Sequence, residues 1–450
     1  MKLAIVGAGW AGCAAAVQAV GDGHEVTLME AAHEPGGRAR AVTVHDLDGT
    51  ALTLDNGQHI LIGAYSSTLA LMRRVGANPD KLLLRQPLNL LFADGTGLQL
   101  PDWPAPLDAL AGIARARGWS LADKAGLLGA ALRWRLAGFA CGAQQSVDEV
   151  CTGISTRVRQ DMIEPLCVSA LNTPASQASA SVFLRVLKDS MFSGRGGSNL
   201  LLPKVDLGSL FPTPSLDWLR AHGADLRMGQ RVREIKALVK GWQVEDEAFD
   251  ALLLATPSWD AARLLRAALE NGSLCDGTPP TKAWPATEQR VRVWLATAEA
   301  LRHEAITTVY ARSTQRMAHA GHDGACLPQA MLALRSGAKA PAQFVFDRGQ
   351  LGGPNGLLAF VVSASQGERA DLQAMVCIQA RSELGLADLQ AIQTIVEKRA
   401  TFACTPQLQR PAQRIASGLL ACGDYVDGPY PSTLEGAVRS GLQAARCLRS

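Results

Sequence analysis

Three glycines near the start of the chain have the spacing that bound phosphate requires. Gly7, Gly9 and Gly12 follow a short apolar run and precede a stretch rich in alanine. In the pattern Gly-x-Gly-x-x-Gly, the first glycine permits a tight turn, the second lets the backbone approach a pyrophosphate, and the third permits close helix–strand packing. Glu30 ends a second apolar run, and its carboxylate can accept hydrogen bonds from ribose hydroxyls. The pattern predicts a dinucleotide-binding site.

Two strands and one helix must position these residues. Leu3 to Val6 predicts the first strand, and a second apolar strand ends at Glu30. The helix between them offers free N–H groups and partial positive charge to phosphates at its N-terminus. The first 30 residues therefore predict a βαβ unit.

A second glycine pair and an arginine follow Glu30. Gly36 and Gly37 bring the backbone close to a ligand, and Arg38 supplies a forked donor for phosphate. An ordinary Gly-Gly turn with a surface arginine is the alternative interpretation.

The C-terminal region contains a related strand–loop–helix pattern. Leu419 to Cys422 predicts a strand that ends at Gly423 and Asp424, and a loop rich in proline and glycine leads to a helix. Ser432 and Glu435 have the spacing of a capping box at the start of that helix. Glycines with a purely structural role are the alternative.

These motifs together resemble the flavin amine oxidase and phytoene desaturase superfamily, whose members bind FAD. The resemblance implies that both ends of the chain meet at one FAD molecule. In the superfamily, a glycine segment like the one at Gly57 and Gln58 runs past the flavin ring. The FAD-contacting residues that the resemblance implies are Gly7, Gly9, Gly12, Glu30, Gly37, Arg38, Gly57, Gln58, Val232, Gly423, Asp424 and Thr433.

Longer segments narrow the resemblance. The chain contains LDNGQHILIGAY at 54–65, EPLCVSALNTP at 164–174 and QFVFDRG at 343–349. With the C-terminal motif, these segments resemble the squalene-associated FAD-dependent desaturases, the family of bacterial hydroxysqualene dehydroxylases in squalene and hopanoid biosynthesis. The resemblance implies an oxidoreductase that replaces the allylic hydroxyl of hydroxysqualene, a C30 isoprenoid, by hydride from reduced flavin.

Three titratable residues are candidates for the proton chemistry. His59 is the proposed proton donor, because a histidine beside a flavin can exchange a proton near neutral pH. Glu164, an acid inside an apolar stretch, is the second candidate, and Asp55 is expected to orient other groups. The alternatives are a histidine satisfied by the backbone and a carboxylate on a helix surface.

The motif order predicts an α/β fold with a discontinuous cofactor domain. Residues 1–85, 195–260 and 405–450 are expected to form a Rossmann-like FAD-binding domain of three layers (ββα). Residues 86–194 and 261–404 are expected to form an inserted α+β substrate domain with a mixed or antiparallel sheet and covering helices. Its candidate elements are the strands Val291 to Ala296, Gln343 to Phe346 and Leu357 to Ser363, with a hairpin connection at Gly349 to Gly356.

Composition favours an intracellular enzyme with a small-molecule substrate. The formal net charge is +3, and no basic run or aromatic-basic stripe suggests nucleic acid. The 10 cysteines form no C-x-x-C pair and have no metal-ligand spacing, so no metal is expected. Those in apolar surroundings, at 13, 167, 377 and 422, suggest buried thiols in a reducing compartment. A strand at residue 2 argues against a signal peptide, and a cytoplasmic location is expected.

Residues 103–139 form an amphipathic stretch whose cations outnumber its acids. Tryptophan and arginine beside apolar residues at helical spacing suit a lipid headgroup interface. Two helices covering the substrate domain, with arginines that extend to solvent, are the favoured interpretation from sequence. A lipid substrate would reverse that preference and place the protein on the inner face of the cytoplasmic membrane.

Other functions and an unknown reductant remain open from sequence. The chain has no second dinucleotide motif, so an external electron donor, either a nicotinamide or a reductase, is expected. A carotenoid-type desaturase would use the same scaffold in the oxidising direction. An amine oxidase would need aromatic residues framing the flavin, and only 5% of the chain is aromatic. A non-catalytic prenyl-binding protein is the remaining alternative.

Overall fold

The computed structural model describes residues 1–192, 194–274, 284–317, 320–321 and 324–448. The strands of this part of the chain are β1 Lys2–Val6, β2 Glu25–Met29, β3 Ala41–His45, β4 Ala51–Asp55, β5 Leu61–Ile62, β6 Leu83–Gln86, β7 Asn89–Leu91, β8 Gly97–Gln99, β9 Leu200–Pro203, β10 Asp225–Arg227, β11 Ile235–Ala237, β12 Trp242–Val244, β13 Glu247–Phe249, β14 Ala251–Leu254, β15 His303–Arg312, β16 Met331–Ala333, β17 Phe344–Asp347, β18 Leu357–Ser363, β19 Gln390–Phe402, β20 Arg414–Ala416 and β21 Leu419–Ala421.

The helices of the same part are α1 Trp10–Gly21, α2 Ser66–Arg74, α3 Pro79–Leu82, α4 Leu107–Arg115, α5 Leu121–Leu136, α6 Val147–Val150, α7 Thr156–Val158, α8 Glu164–Leu171, α9 Ala180–Phe192, α10 Leu207–Leu210, α11 Pro212–Ala221, α12 Ser258–Glu270, α13 Trp284–Glu299, α14 Arg369–Leu384 and α15 Leu434–Arg446. A π-helical turn, Arg159–Ile163, leads into α8, and a 3-10 turn, Arg348–Leu351, follows β17. None of the described helices is both long and apolar enough to cross a bilayer.

A six-stranded sheet brings distant parts of the chain together in the order β10-β2-β1-β14-β21-β20. All neighbouring strands pair in parallel except β20 and β21. Its strands are buried on both faces, and successive residues point to opposite sides. Leu3 and Ile5 face the core that contains α1, α11 and α15. Ala4 and Val6 face the small antiparallel sheet β11-β12-β13. The predicted three-layer fold is confirmed.

A second sheet, entirely antiparallel, has the order β16-β17-β18-β15-β19. The predicted strands near Gln343 to Phe346 and at Leu357 to Ser363 are confirmed as β17 and β18. The segment Gly349 to Gly356 connects them, as predicted. One face of this sheet packs with α8 and α9 in the part of the chain predicted as the substrate domain, here called the substrate half, and the other face packs on α14.

The predicted strand Val291 to Ala296 is wrong, because these residues lie in α13. Val291, Trp294, Leu295 and Ala298 are buried at intervals of three and four residues, which is the helical period. Helices α12 and α13 share a core with β12, β14 and β20. They therefore pack on the six-stranded sheet, in the part predicted as the FAD-binding domain and here called the cofactor half, whereas the sequence predicted residues 261–404 in the substrate domain.

The cysteines expected in apolar surroundings are mostly where the sequence placed them. Cys13, Cys167 and Cys422 are buried, whereas Cys377 is half-buried. Burial raises the pKa of the Cys422 thiol to about 12, so that group stays protonated near neutral pH.

Candidate active site

A cavity of about 750 Å³ lies where the two halves of the molecule meet. Its polar end is formed by the loop after β1, the end of β2, the loop before α15 and residues 230–232. Its other end is formed by α8, α9 and the antiparallel sheet. This is the expected position for a ligand in an open α/β fold, outside the carboxyl ends of the parallel strands.

A side chain at each of the three N-terminal glycines would have a different steric effect. Gly7 has φ +109°, and a Cβ there would lie 2.7 Å from the Ala255 carbonyl oxygen. A Cβ on Gly12 would lie 1.9 Å from the Gly7 carbonyl oxygen. A Cβ on Gly9 would meet no protein atom within 4 Å. Because Gly9 lines the cavity, the open space beside it is where a bound group can contact the backbone.

Glu30 and Val232 lie on the cavity wall near the end of β2. The Glu30 carboxylate accepts hydrogen bonds from the Ala8 N–H at 2.7 Å and from the Ala32 N–H at 2.9 Å. These contacts fix the acid directly above the glycine loop, where a ribose would follow a pyrophosphate. Val232 is buried, and its carbonyl accepts a hydrogen bond from Arg263 at 3.2 Å.

The second glycine pair lies against the first. Gly36 forms a parallel bridge with Gly9, and a Cβ on Gly37 would lie 3.4 Å from the Gly9 Cα. Arg38 donates to the Ala400 carbonyl at 2.7 Å and to the Asp424 carboxylate. The arginine predicted as a phosphate donor therefore also forms an ion pair with the acid predicted to contact the ribitol.

The capping box predicted at the start of α15, with Ser432 and Glu435, is wrong. Thr433, not Ser432, caps the helix, and its Oγ1 accepts a hydrogen bond from the Gly436 N–H at 2.9 Å. The buried Glu435 carboxylate instead accepts from Ser67 and Thr68 at the start of α2. Ser432 has φ +56°, a conformation that does not suit a cap. The N-terminus of α15 is consequently left facing the cavity.

Several buried polar atoms on the cavity wall have no hydrogen-bond partner within the described protein. They are Thr256 Oγ1, Tyr425 Oη and Ser432 Oγ. A buried hydroxyl without a partner is unfavourable, which indicates that a polar ligand satisfies such groups. Together with the space beside Gly9 and the helix N-termini, these hydroxyls fit a dinucleotide such as FAD.

Gly57, Gln58 and His59 line the cavity between the cofactor loops and the substrate half. The His59 Nδ1–H donates to the Gly57 carbonyl at 2.7 Å, so Nε2 is the ring nitrogen that this hydrogen bond leaves available for a proton. Burial, with a smaller effect from the nearby Arg38 cation, lowers the pKa of His59 below its usual 6.5. Gln58 accepts a long hydrogen bond of 3.4 Å from the buried Arg348.

The other two predicted catalytic acids are not cavity-lining residues. Asp55 is buried behind the segment, and its carboxylate accepts a hydrogen bond from the Leu207 N–H at 2.7 Å. Burial raises the pKa of Asp55 to about 7. Glu164 is exposed on α8, whereas Leu166 and Val168 of the same helix line the cavity. The structure thus brings His59, but not Glu164, together with the cofactor loops.

The wall on the substrate side of the cavity is predominantly aliphatic and aromatic. Its apolar lining residues are Ile60, Ile62, Leu88, Leu166, Val168, Phe183, Val186, Leu187, Met191, Leu200, Ile306, Phe344, Phe346 and Val361. Such a wall recognises hydrocarbon by removing it from water, with few polar contacts.

Sequence reasoning missed one polar pair on the cavity wall. Tyr430 donates to the Asp189 carboxylate at 2.8 Å, and Arg185 donates to the same oxygen at 2.7 Å. This pair joins α9 to the loop before α15. Only the three-dimensional fold brings together residues 241 positions apart, so no local spacing could have revealed the contact.

This fold and cavity define an FAD-dependent oxidoreductase. The chain belongs to the flavin-containing amine oxidoreductase family, whose model matches residues 10–316. FAD is accordingly its cofactor.

Curated relatives match almost the whole chain. It is 24% identical to the hydroxysqualene dehydroxylase of Zymomonas mobilis, covering 98% of this chain and 97% of that protein. It is 26% identical to the hydroxysqualene dehydroxylase of Rhodopseudomonas palustris, covering 98% and 96%. The crystal structure of an oxidoreductase from Methanosarcina mazei superimposes with a TM-score of 0.69 at 16% identity, covering all of both chains, and shows the shared fold.

Proposed function

We propose that this enzyme reduces hydroxysqualene to squalene, replacing an allylic hydroxyl by hydrogen. The single observation that carries the proposal is the apolar half of the cavity, which adjoins the FAD-binding loops at His59. The full-length relatives bear the name of this activity. In the overall reaction one C–O bond breaks, one C–H bond forms, water leaves, and reduced FAD is oxidised by two electrons.

The residues of the polar end hold FAD. The backbone at Gly9 and the N-terminus of α1 would hold the pyrophosphate, and the Glu30 carboxylate would accept hydrogen bonds from ribose hydroxyls. Arg38 from the N-terminal region, together with Asp424 and Thr433 from the C-terminal region, would complete the FAD site. Reduced FAD supplies the hydride that the reaction requires.

His59 supplies the proton that converts the leaving hydroxyl into water. Hydroxide is a poor leaving group, so C–O cleavage needs an acid positioned at the oxygen. The hydrogen bond from Nδ1 to Gly57 holds the ring in one orientation, and Nε2 donates. Because its pKa is lowered, the protonated ring is a stronger acid than free imidazole.

The apolar wall has two roles in this scheme. It binds the C30 chain, since each buried methylene is worth about 0.8 kcal/mol. It also excludes water, which would otherwise recapture an allylic cation formed when the C–O bond breaks. The electrons come from an external donor, either a nicotinamide or a reductase, and the enzyme works at the periphery of the cytoplasmic membrane.

The test is product analysis with purified protein. The protein should be yellow, and after reduction with dithionite it should convert hydroxysqualene to squalene while its flavin is reoxidised. His59→Ala should retain FAD but lose most turnover. Protein that holds reduced FAD and leaves hydroxysqualene unchanged would overturn the proposal, and dehydrogenation of a polyene precursor by oxidised protein would support the desaturase alternative.

A further inference from the structure

Exposed apolar side chains are concentrated in one region of the described surface. Seven of the twelve exposed large apolar residues lie between positions 103 and 136. These seven, here called the apolar ridge, are Trp103, Leu107, Leu110, Leu121, Leu128, Leu132 and Leu136. Isolated exposed leucines are ordinary, but such a concentration of exposed apolar side chains in one segment indicates a surface that meets another apolar phase.

Helix α5 is apolar on two opposite sides. Leu127, Ala130 and Trp134 face the protein core. At about 3.6 residues per turn, Leu121, Leu128, Leu132 and Leu136 lie on the opposite face, which points away from the protein. Leu121 is 85% exposed and Leu136 is 80% exposed. A helix that only covered the substrate half would carry polar residues on that outer face.

Helix α4 and the segment before it carry the other three residues of the ridge, and Lys124 of α5 donates to the Ala114 carbonyl of α4 at 2.8 Å. Leu107 and Leu110 are exposed, whereas Gly112 and Ile113 of the same helix are buried. The Arg115 guanidinium lies 5.1 Å from the centre of the Trp103 ring. An exposed indole with a cation beside it is typical of the level of lipid headgroups.

The charges around the ridge are mainly positive. Four exposed cations lie on these elements, at Arg115, Arg117, Arg133 and Arg135. Neither of the two acids of residues 103–139 offsets this positive charge at the surface. Asp108 is buried, and Asp123 completes the capping box of α5 with Ser120. Asp102, just before the ridge, pairs with Arg195. The balance of exposed charge complements an anionic surface.

The ridge is also joined to the walls of the cavity. The buried side of α5 shares one hydrophobic core with Phe183 and Leu187, which line the apolar end. We propose that the apolar ridge docks this enzyme onto an anionic lipid bilayer, with the leucines in the acyl region and the arginines at the headgroups. This inference deepens the proposed function, because a hydrocarbon substrate dissolves in the bilayer and not in water.

The experiment is sedimentation of the FAD-loaded full chain with vesicles of phosphatidylglycerol and phosphatidylcholine. The wild type should pellet with mixed vesicles, less with phosphatidylcholine alone, and less at high salt. Leu128→Asp/Leu132→Asp should reduce binding at least tenfold to both vesicle types. Arg115→Gln/Arg117→Gln should weaken binding to the anionic vesicles only. Ile378→Asp, at an exposed apolar residue outside the ridge, is the matched control and should bind as wild type.

Three further measurements separate the alternatives. Flavin absorbance and melting temperature should be unchanged in all variants, which excludes misfolding. Light scattering tests whether a second copy of the chain covers the ridge. A wild-type protein that is dimeric and does not bind vesicles, and that Leu128→Asp/Leu132→Asp makes monomeric, would overturn the proposal.

Turnover of hydroxysqualene in detergent micelles should be equal for wild type and ridge variants. If wild type binds vesicles but has no turnover in micelles, the docking surface stands and the proposed reaction fails.

Discussion

Arg38 and Asp424 form an ion pair across 386 residues of sequence, on the wall of the cofactor cavity. The same guanidinium donates to the Ala400 carbonyl on β19 of the substrate half. One side chain thus links the N-terminal loop, the C-terminal loop and the antiparallel sheet. The pair therefore lines the cavity and joins both loops to the antiparallel sheet, and in the proposed function it would also contact FAD.

Arg38→Ala should weaken FAD binding and also lower stability without FAD. The variant leaves the largely buried Asp424 carboxylate without its cation, and a hydrogen bond to a charged group contributes about 1.5–3 kcal/mol. FAD affinity by fluorescence quenching and the melting temperature of the apoprotein measure both effects. Arg220→Ala breaks an exposed pair with Asp217 and serves as the control. Unchanged FAD affinity in Arg38→Ala would contradict this assignment.

Substitutions at Gly9 and Gly12 should separate cofactor binding from folding. Gly9 has φ −71° and ψ 179°, which alanine adopts, and a Cβ there meets only open space. Gly9→Ala should change apoprotein stability by less than about 0.5 kcal/mol yet reduce FAD affinity strongly. Gly12→Ala places a Cβ against the Gly7 carbonyl and should destabilise the protein by about 1–3 kcal/mol even without FAD. Equal FAD affinity in Gly9→Ala and wild type would refute the proposed pyrophosphate position.

Turnover should depend on the protonation of His59. The pKa of this residue lies below 6.5, and only the protonated ring donates a proton. The rate of reoxidation of reduced enzyme by hydroxysqualene should therefore fall as pH rises through that lowered pKa. His59→Gln keeps a polar side chain that cannot act as an acid, and it should be slow with a flat profile in this range. A wild-type rate that rises with pH would contradict the role.

Asp55 should make stability fall as pH rises towards neutral. Its carboxyl has a pKa of about 7 in the folded protein and an ordinary value of 3.8 when unfolded. Between these values the folded state binds more protons than the unfolded state, so the free energy of unfolding decreases with rising pH. Asp55→Asn keeps an acceptor for the Leu207 N–H and should flatten this slope in urea titrations. Asp217→Asn, at an exposed acid, should leave it unchanged.

The local parts of the site could be predicted from sequence, because their chemistry lies within a few residues. The turn at Gly7 and the close packing at Gly12 have the predicted form, and the contact of Gly9 with a pyrophosphate stays a prediction. The cap at Ser432 was wrong because Glu435 is bound by residues on α2 that are more than 360 positions away. No spacing along the chain reports such a competitor.

The direction in which a side chain points was the second feature that the sequence could not predict. Glu164 and Leu166 are two residues apart, yet the acid is exposed and the leucine lines the cavity. The predicted strand at 291–296 was wrong for a similar reason. A short apolar run is compatible with both the helical and the strand period until its packing partners are known. For the amphipathic stretch at 103–139, the sequence left both a covering role and a membrane contact open, and only solvent exposure identifies the leucines that point outward.

The order of the parallel sheet has a consequence for biosynthesis. Strand β1 is synthesised well before its neighbour β14, which follows about 250 residues later, and β21 is synthesised later still. A nascent chain must therefore carry the unpaired edge of β1, exposed to other polypeptides, until β14 has been synthesised. Interrupted translation products would lack the strand and loop that complete the cavity, and they would be colourless and prone to aggregate.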